Sequence, residues 1–469
     1  MESNRCATAI LAAGRGTRLK SKRAKVLHSI AGKPLLQHVL DAVLKTTQPD
    51  QVFVVVGHQA EQVERAVAAT GVHFVTQTPQ LGTGHAVQCL RDAVAGSNDL
   101  LVLSGDVPLI RPDTIERLRA FHHSQHAAMT ILTARPENPF GYGRIVRVSP
   151  TSAEVAAIVE QKALAPDQQQ IGEINSGIYL FRIDALYHSI DSLQSNNAHG
   201  EYYLTDMAAL LRAAGERVVA LETPDATEVL GANTIAEMME LDTALRMETA
   251  RRLMAQGVTI QRPETCTMDA NVTVGPDTII EPFVQLLGNT HIGEDSRIRS
   301  YSVIQNSTVG KNVLIRNSCV LEDATVGDGA FIGPFAHLRP GSQIGAEAHV
   351  GNFVETKNAR VGAGSKANHL TYLGDVAIGS GCNIGAGVIT CNYDGVNKHP
   401  TQIGDHVFVG SNSTLVAPVQ LEDESYIAAA SCITEPVPAG ALALGRARQT
   451  IKPEWAKRRR ARLNKKMEK

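Results

Sequence analysis

The stretch LAAGRGTRL, Leu11 to Leu19, directly follows the apolar run Ala7-Thr8-Ala9-Ile10 and has the composition of a phosphate cradle. Glycine tolerates positive φ and lets the backbone come close to a ligand, so Gly14 and Gly16 could turn N–H groups toward an anion. Neither familiar phosphate motif fits. The dinucleotide fingerprint G-x-G-x-x-G requires a third glycine where Leu19 stands, and the P-loop requires a Gly-Lys pair that is absent. Farther on, LVLSGDVPL sets Asp106 at the end of an apolar run, the place where open α/β sheets bind ligands. A carboxylate there can serve a ligand or merely cap a turn.

These residues need a frame, and composition bounds it. The 469 residues are many for one core and imply two or three domains. With 43% hydrophobic and 20% charged residues the chain reads as an ordinary globular protein, and a formal net charge of −2 gives no general affinity for nucleic acid or membrane surfaces. Seven cysteines form no C-x-x-C pair, which argues against a disulfide framework or structural zinc and fits a reducing cytoplasm. The opening MESNRCATAIL lacks an apolar signal core, and no run approaches the length of a membrane span.

Before about residue 235, short β-rich runs alternate with helical patterns: CATAIL, PLLQHVLDAVLK, QVFVVV, QAEQVERAVAA, LLVLSGD. That rhythm predicts βαβ units, a parallel sheet with helices on both faces. IAEMMELDTALRMETARRLMAQ then predicts a connecting helix stopped by Gly257. Beyond it the period becomes six. Aliphatic residues recur from Val274 through Ile304, from Val309 to Leu321, from Val326 to Val350 and from Ile403 to Ile433, often followed by glycine or an acidic residue. This is the hexapeptide repeat of a parallel β-helix, whose coils bury their inner face only by stacking. The register breaks around Thr356 to Val361 and at CNYDGVNKHPTQ, Cys391 to Gln402, which reads as a loop leaving the coil wall.

The first half resembles the sugar-nucleotidyltransferase family, whose opening signature is L-x-x-G-x-G-T-R followed by a Pro-Lys pair. Leu11, Gly14, Gly16, Thr17, Arg18 and Lys25 match, with Ala24 where the family usually has proline. The second half resembles hexapeptide acyltransferases. Together, over nearly the whole chain, they are similar to the bacterial bifunctional enzymes that acetylate glucosamine 1-phosphate and then uridylylate the product. The resemblance implies an α/β protein with an N-terminal Rossmann-like nucleotidyltransferase domain over 1–234 and a linker helix over 235–256. A C-terminal left-handed parallel β-helix over 257–445 and a basic tail over 446–469 complete it.

It also implies the sites. In nucleotidyl transfer a sugar phosphate attacks the α-phosphorus of a nucleoside triphosphate and pyrophosphate leaves, so positioning and charge neutralisation dominate. Arg18 and Lys25 would be the catalytic cations, and Asp106 with Asn233 of LGAN would hold Mg²⁺, an ion that takes few protein oxygens beside phosphates. The implied UDP-N-acetylglucosamine contacts begin with Leu11, Ala12, Ala13, Gly14 and Lys25, then Gln77, Gly82 and Thr83 of QTPQLGTGHA, and Ser104, Gly105 and Asp106. Gly143 of GYGR, Glu160 of IVEQK, Asn175 of EINSG and Asn233 complete them.

Acetyl transfer from a thioester to an amine requires a base, and neutral histidine suits that role near neutral pH. His369 of KANHLTYLGD matches the family's base. Arg339 and Lys357 match the binders of the sugar phosphate, a chemically sensible pair of cations for one phosphate, and Tyr372 and Asn383 match sugar contacts. Ala386, Asn392, Tyr393, Ser411, Ala429 and Arg446 match positions lining an acetyl-coenzyme A site. UTP and acetyl-CoA are then substrates, Mg²⁺ the cofactor, and a cytoplasmic homotrimer the expected assembly.

Two other readings compete: a monofunctional sugar-1-phosphate nucleotidylyltransferase whose β-helix only oligomerises or regulates, and a non-catalytic scaffold subunit. His369 with Lys357 and Arg339 argues against the first, and Arg18, Lys25 and Asp106 argue against the second. The Pro436 to Pro438 segment reads as closure of the solenoid, and the tail WAKRRRARLNKKMEK as a solvated basic helix rather than a nucleic-acid site.

Overall fold

The computed structural model describes residues 5–197 and 200–467. The first four residues of the N-terminal segment and the last two of the basic tail, both read above, lie outside the described residues. The chain divides into two compact units, Met1–Glu248 and Thr249–Lys469.

The first unit is built on nine strands: β1 (Cys6–Leu11), β2 (Val52–Val56), β3 (His73–Thr76), β4 (Asp99–Ser104), β5 (Met129–Ala134), β6 (Arg144–Arg147), β7 (Val155–Val159), β8 (Ile174–Arg182) and β9 (Val218–Glu222). Helices α1 (Leu35–Val43), α2 (Ala60–Val67), α3 (Thr83–Gln88), α4 (Pro112–Ser124), α5 (Ile183–Ser189) and α6 (Met207–Ala213) join them. The strand order is β9-β5-β8-β4-β1-β2-β3, with the β6–β7 hairpin attached to β8. β1 runs parallel to β2 and β4, while β8 runs antiparallel to β4 and β5. The central strands are apolar throughout because both faces are covered: Ala9, Leu100 and Val102 enter one core, Ile10, Leu101 and Leu103 the other. Parallel β1 to β4 therefore end on one edge, and antiparallel β8 begins there. α7 (Ile235–Ala255) follows.

In the second unit, three short parallel strands per coil stack into three walls of eleven, ten and nine strands among the described residues. Ile280, Leu286, Ile292, Ile298 and Ile304 fill the interior at 0% exposure, and their later counterparts are buried behind them. Glycine follows so many of them because coils nearly touch at the corners: a Cβ on Gly345 would lie 2.7 Å from the Ala363 nitrogen.

The segment Thr356 to Val361 accounts for the first break in the repeat. It does not leave the wall; Glu355–Lys357 and Arg360–Val361 are both wall strands. Thr356 takes the inward place of an aliphatic residue at 0% exposure, its hydroxyl paired with Ser342 Oγ at 2.8 Å, and the next corner is one residue shorter. The Cys391–Gln402 stretch does depart, between strands Ile389–Cys391 and Thr401–Ile403. Pro436 and Pro438 flank Val437, which bridges Leu421, so the last coil continues to Leu442–Ala443. The described side chains of α8 (Trp455–Met467) are exposed, and no helix of the described residues is long and apolar enough to cross a membrane.

Leu338→Ala empties a fully buried inward position and should cost about 2–5 kcal/mol of β-helix stability. Gln343→Ala on the outer wall should stay within about 0.5 kcal/mol, and urea unfolding followed by circular dichroism separates the two.

Candidate functional sites

β1 delivers the chain to the sheet edge already held. The Ala12 N–H donates to Val55 O at 2.8 Å and the His58 N–H to Ala13 O at 3.2 Å, so the backbone leaves β2 only at Gly14. Gly16 turns at φ 63°, and a Cβ there would sit 2.7 Å from the Lys25 Cβ; only glycine lets the loop fold over Lys25. Ala24 keeps a proline-like φ of −54°, and its N–H, which proline would lack, donates to Gln59 Oε1 at 2.7 Å. Gln59 thus does by hydrogen bonding what the ring does elsewhere, placing Lys25.

Lys25 closes the cluster. Its ammonium pairs with the Asp106 carboxylate and donates to Asn233 Oδ1 at 3.1 Å, while Arg18 Nη2 donates to that same oxygen at 2.9 Å. Ser104 Oγ donates to Asp106 Oδ1 at 2.5 Å, and the Gly105 N–H donates to Leu11 O at 3.0 Å, fixing the turn against β1. A capping box at the start of α7 holds Asn233: the Glu237 N–H donates to Thr234 Oγ1 at 3.2 Å and the Asn233 N–H to Glu237 Oε2 at 2.8 Å. One carboxylate and one amide oxygen therefore face a single cationic position. An ammonium sits there, and two hard oxygens suit a divalent ion that keeps its remaining places for phosphate and water.

Other residues expected at this site share the edge. Gln77 lies just past β3 and is buried; Gly82, at φ 101°, starts α3, and Thr83 Oγ1 accepts the Leu204 N–H at 3.0 Å. At β8, the Asn175 N–H donates to Gly143 O at 2.9 Å and Asn175 Nδ2 to Tyr179 Oη at 2.8 Å. Glu160 directly follows β7, one residue past the Arg144–Val159 pair; loss of hydration around its carboxyl pushes it above its ordinary value, against a hydrogen bond from Thr205 at 3.5 Å. Behind Asn175, buried Glu173 accepts Arg147 Nη2 and Thr133 Oγ1, each at 2.6 Å, and braces β8 against the hairpin.

In the β-helix, register does the positioning. His369 ends a first-wall strand at the corner before the second wall, and its carbonyl accepts the Gly387 N–H at 3.2 Å. One coil on, Ala386 O accepts the Asn412 N–H at 2.7 Å; then Ser411 O accepts the Ala430 N–H at 2.8 Å; then Ala429 O accepts Arg446 Nη1 at 2.8 Å. These four residues form a column on one corner. With strands roughly 4.8 Å apart, it climbs about 19 Å from His369 to Arg446. On the second wall, Arg339 and Lys357 follow the paired Leu338 and Thr356, Lys357 is in register with Gly374, and Tyr372 lies over Gly374, where a Cβ would meet its hydroxyl. Asn383 is not brought to this group: it opens its first-wall strand in register with Lys366, at the far end of the wall from Tyr372.

Asn392 and Tyr393 stand apart too, in the loop at the next corner. Asn392 Nδ2 donates to Asp375 Oδ2 at 2.5 Å, and Asp394 ties the loop together by accepting the Val396 and Asn397 N–H groups at 2.8 and 2.6 Å and bonding His399 Nε2 at 2.8 Å. The loop overhangs a groove of about 420 Å³ lined by Asn358, Arg360, Asp375, Lys398 and His399.

Comparison with known proteins agrees with this division. A family of MobA-like NTP transferase domains matches residues 8–169, bacterial transferase hexapeptide repeats match 271–306 and 323–358, and a hexapeptide repeat of succinyl-transferase matches 400–435. The chain is 60% identical to the bifunctional protein GlmU of Koribacter versatilis, over 99% of this chain and 100% of that one. It is 51% identical to the GlmU of Solibacter usitatus, over 96% and 97%. The chain belongs to the GlmU family.

For a GlmU-family chain the informative surprises are the residues that place others. Gln59 and Glu237 fix Lys25 and Asn233, and no periodicity marks them; T-x-x-E at Thr234–Glu237 was the one readable signal. Lys398 is the other. It stands beside Lys357, and with Arg339 behind it lowers the Lys357 ammonium below the ordinary lysine value. Because Lys357 titrates early, anion binding there should fade as pH rises through that lowered value. Lys398→Gln should move this alkaline limb upward, read as binding of inorganic phosphate across the alkaline range.

Proposed function

We propose that this chain makes UDP-N-acetylglucosamine in two steps: acetyl transfer from acetyl-CoA to glucosamine 1-phosphate on the β-helix, then uridylyl transfer from UTP to N-acetylglucosamine 1-phosphate in the first unit. The observation that carries it is the meeting of Arg18, Lys25, Asp106 and Asn233 at the carboxyl edge of a parallel sheet. Asp106 and Asn233 would hold Mg²⁺, which when bound supplies neutralisation of the phosphate oxygens. Loop N–H groups from Gly14 onward, with Arg18 and Lys25, orient the triphosphate and favour departure of pyrophosphate as the sugar phosphate attacks. Gly143, Glu160 and Asn175 receive the sugar, and Gln77 with Gly82 and Thr83 receives the base.

On the β-helix, Arg339 and Lys357 hold the sugar phosphate. His369 takes a proton from the amine as nitrogen attacks the thioester carbon; the C–S bond breaks and the proton passes to the departing thiolate. The coenzyme extends along the column from Ala386 through Ser411 and Ala429 to Arg446. UTP and acetyl-CoA are metabolites of the cytoplasm, which is the location inferred.

The acetyl-CoA residues lie on two different corners of one coil stack, the column on one and Asn392–Tyr393 on the next, so a neighbouring copy is needed to join them. The column's corner also carries exposed Phe283, Tyr301, Phe335, Phe353 and Leu370, every one at positive φ, with Phe283–Tyr301 and Phe335–Phe353 stacked at 5.1 and 5.3 Å. Bulky residues accept that backbone strain and exposure only with reason, and a homotrimer packed along this corner supplies one.

Asp106→Asn, or chelation of divalent ions, should abolish uridylyl transfer and leave acetyl transfer intact. His369→Ala should lower acetyl turnover by about 10²–10⁴-fold with uridylyl transfer preserved. Assaying both half-reactions on each protein checks the crossover; loss of both in either would refute separate sites.

Subunits impaired in the column by Arg446→Ala, mixed with subunits impaired in the loop by Tyr393→Ala, should regain acetyl transfer if column and loop come from different copies. A fully active monomer by light scattering would overturn the trimer.

A further inference from the structure

The mechanism leaves unexplained why Gln77, a side chain only 3% exposed, should present one defined end of its amide to a base. The two ends of a carboxamide are near-identical in shape but opposite in chemistry, one donating and one accepting. Gln77 Nε2 lies 2.9 Å from the Gly82 carbonyl oxygen, a group that only accepts, so this end is the amino group. Its second hydrogen points at His85 Nδ1, 3.2 Å away. With both donor positions taken, Oε1 has no partner among the described residues.

We infer that His85, on α3, is the positioning residue for base selection: its Nδ1 accepts from Gln77, locks the amide, and leaves Gln77 Oε1 to read a hydrogen-bond donor on the nucleotide base. This rests on the reading that Gln77 faces the base of UTP. Uracil has one donor on its pairing edge, the N3–H, flanked by two carbonyl oxygens. Cytosine has a lone pair at that same nitrogen. An acceptor held at that place rewards the first and opposes the second.

The surroundings of His85 support the tautomer this requires. Neutral histidine with an accepting Nδ1 carries its proton on Nε2, and that nitrogen is 3.8 Å from the Cys89 sulfur, one helical turn on. Burial pushes the Cys89 thiol up, so it stays uncharged and offers no anion to hold a second proton on the ring. The segment carrying Gly82 is itself fixed, with the Tyr202 N–H donating to Leu81 O and the Gly84 N–H to Tyr202 O, each at 2.8 Å. The remaining freedom of Gln77 is rotation of its amide by half a turn, which would set Oε1 against two acceptors, the Gly82 carbonyl and His85 Nδ1; His85 is the side chain of the two and the one a substitution can remove.

The test compares kcat/KM for UTP with that for CTP in the full-length protein, with kcat at saturating UTP as the control for folding of the first unit. His85→Leu removes the acceptor, and the UTP preference should fall by about tenfold or more, through a higher KM for UTP with kcat little changed. His85→Asn, whose Oδ1 can stand near the position of Nδ1, should keep most of the preference. A UTP:CTP ratio within about twofold of the parent in His85→Leu, or one lost equally in His85→Asn, would overturn the inference. A parallel Gln77→Leu variant says which layer failed. If it destroys the preference while His85→Leu does not, Gln77 reads the base without help; if it too leaves the ratio unchanged, Gln77 does not face the base at all.

Discussion

A single lysine ammonium organises the first unit. Lys25 bonds oxygens from Asp106, just beyond β4, and Asn233, just ahead of α7, while its own loop is folded onto it by Gly16 and held by Gln59. Three segments far apart in sequence meet at that charge. Without it, the Asp106 carboxylate would lose its ion pair and Asn233 Oδ1 would keep only Arg18; with it, the two oxygens are held facing one position. The rest of the sheet edge follows, since the turn carrying Asp106 is also bonded to Leu11, and Leu11 leads into the loop.

The second unit obeys a different constraint. Each coil is held by the one above and below through parallel strand pairing, so a residue's height is set by its coil and its corner by its place within the coil. That rule stacks Arg339 against Lys357 and lines Ala386, Ser411 and Ala429 behind His369. The loop from Asn392 is exempt from the rule and is instead organised by Asp394 and anchored on Asp375. This is why Lys398 can reach Lys357.

Much of this was legible in the chain and some was not, for physical reasons. Aliphatic residues every six positions announce the β-helix because each must point inward. Thr356 hid one coil because a satisfied hydroxyl fills the same place as a methyl group, which no hydropathy pattern registers. Asp106 could be named from strand position, and Arg18, Lys25 and Asn233 from the family resemblance. Chain chemistry alone does not pair Asp106 with Asn233, since they converge through the fold. Ala24 looked like a departure; Gln59, whose partner is a backbone N–H, shows how the fold absorbs it. The separation of Asn383 and the Asn392 loop from their companions depends on which corner each occupies, and spacing interrupted by an irregular loop does not reveal that.

The column behind His369 has a further meaning. Because its rungs are coils, their spacing is set by the backbone hydrogen bond and not by any side chain. Reach along the axis can change only by whole coils, gained or lost, and not by fine adjustment. The β-helix is in this sense a ruler with fixed graduations. Side-chain substitution can alter which group stands at each mark, but the distance between marks is measured by the number of turns in the polypeptide.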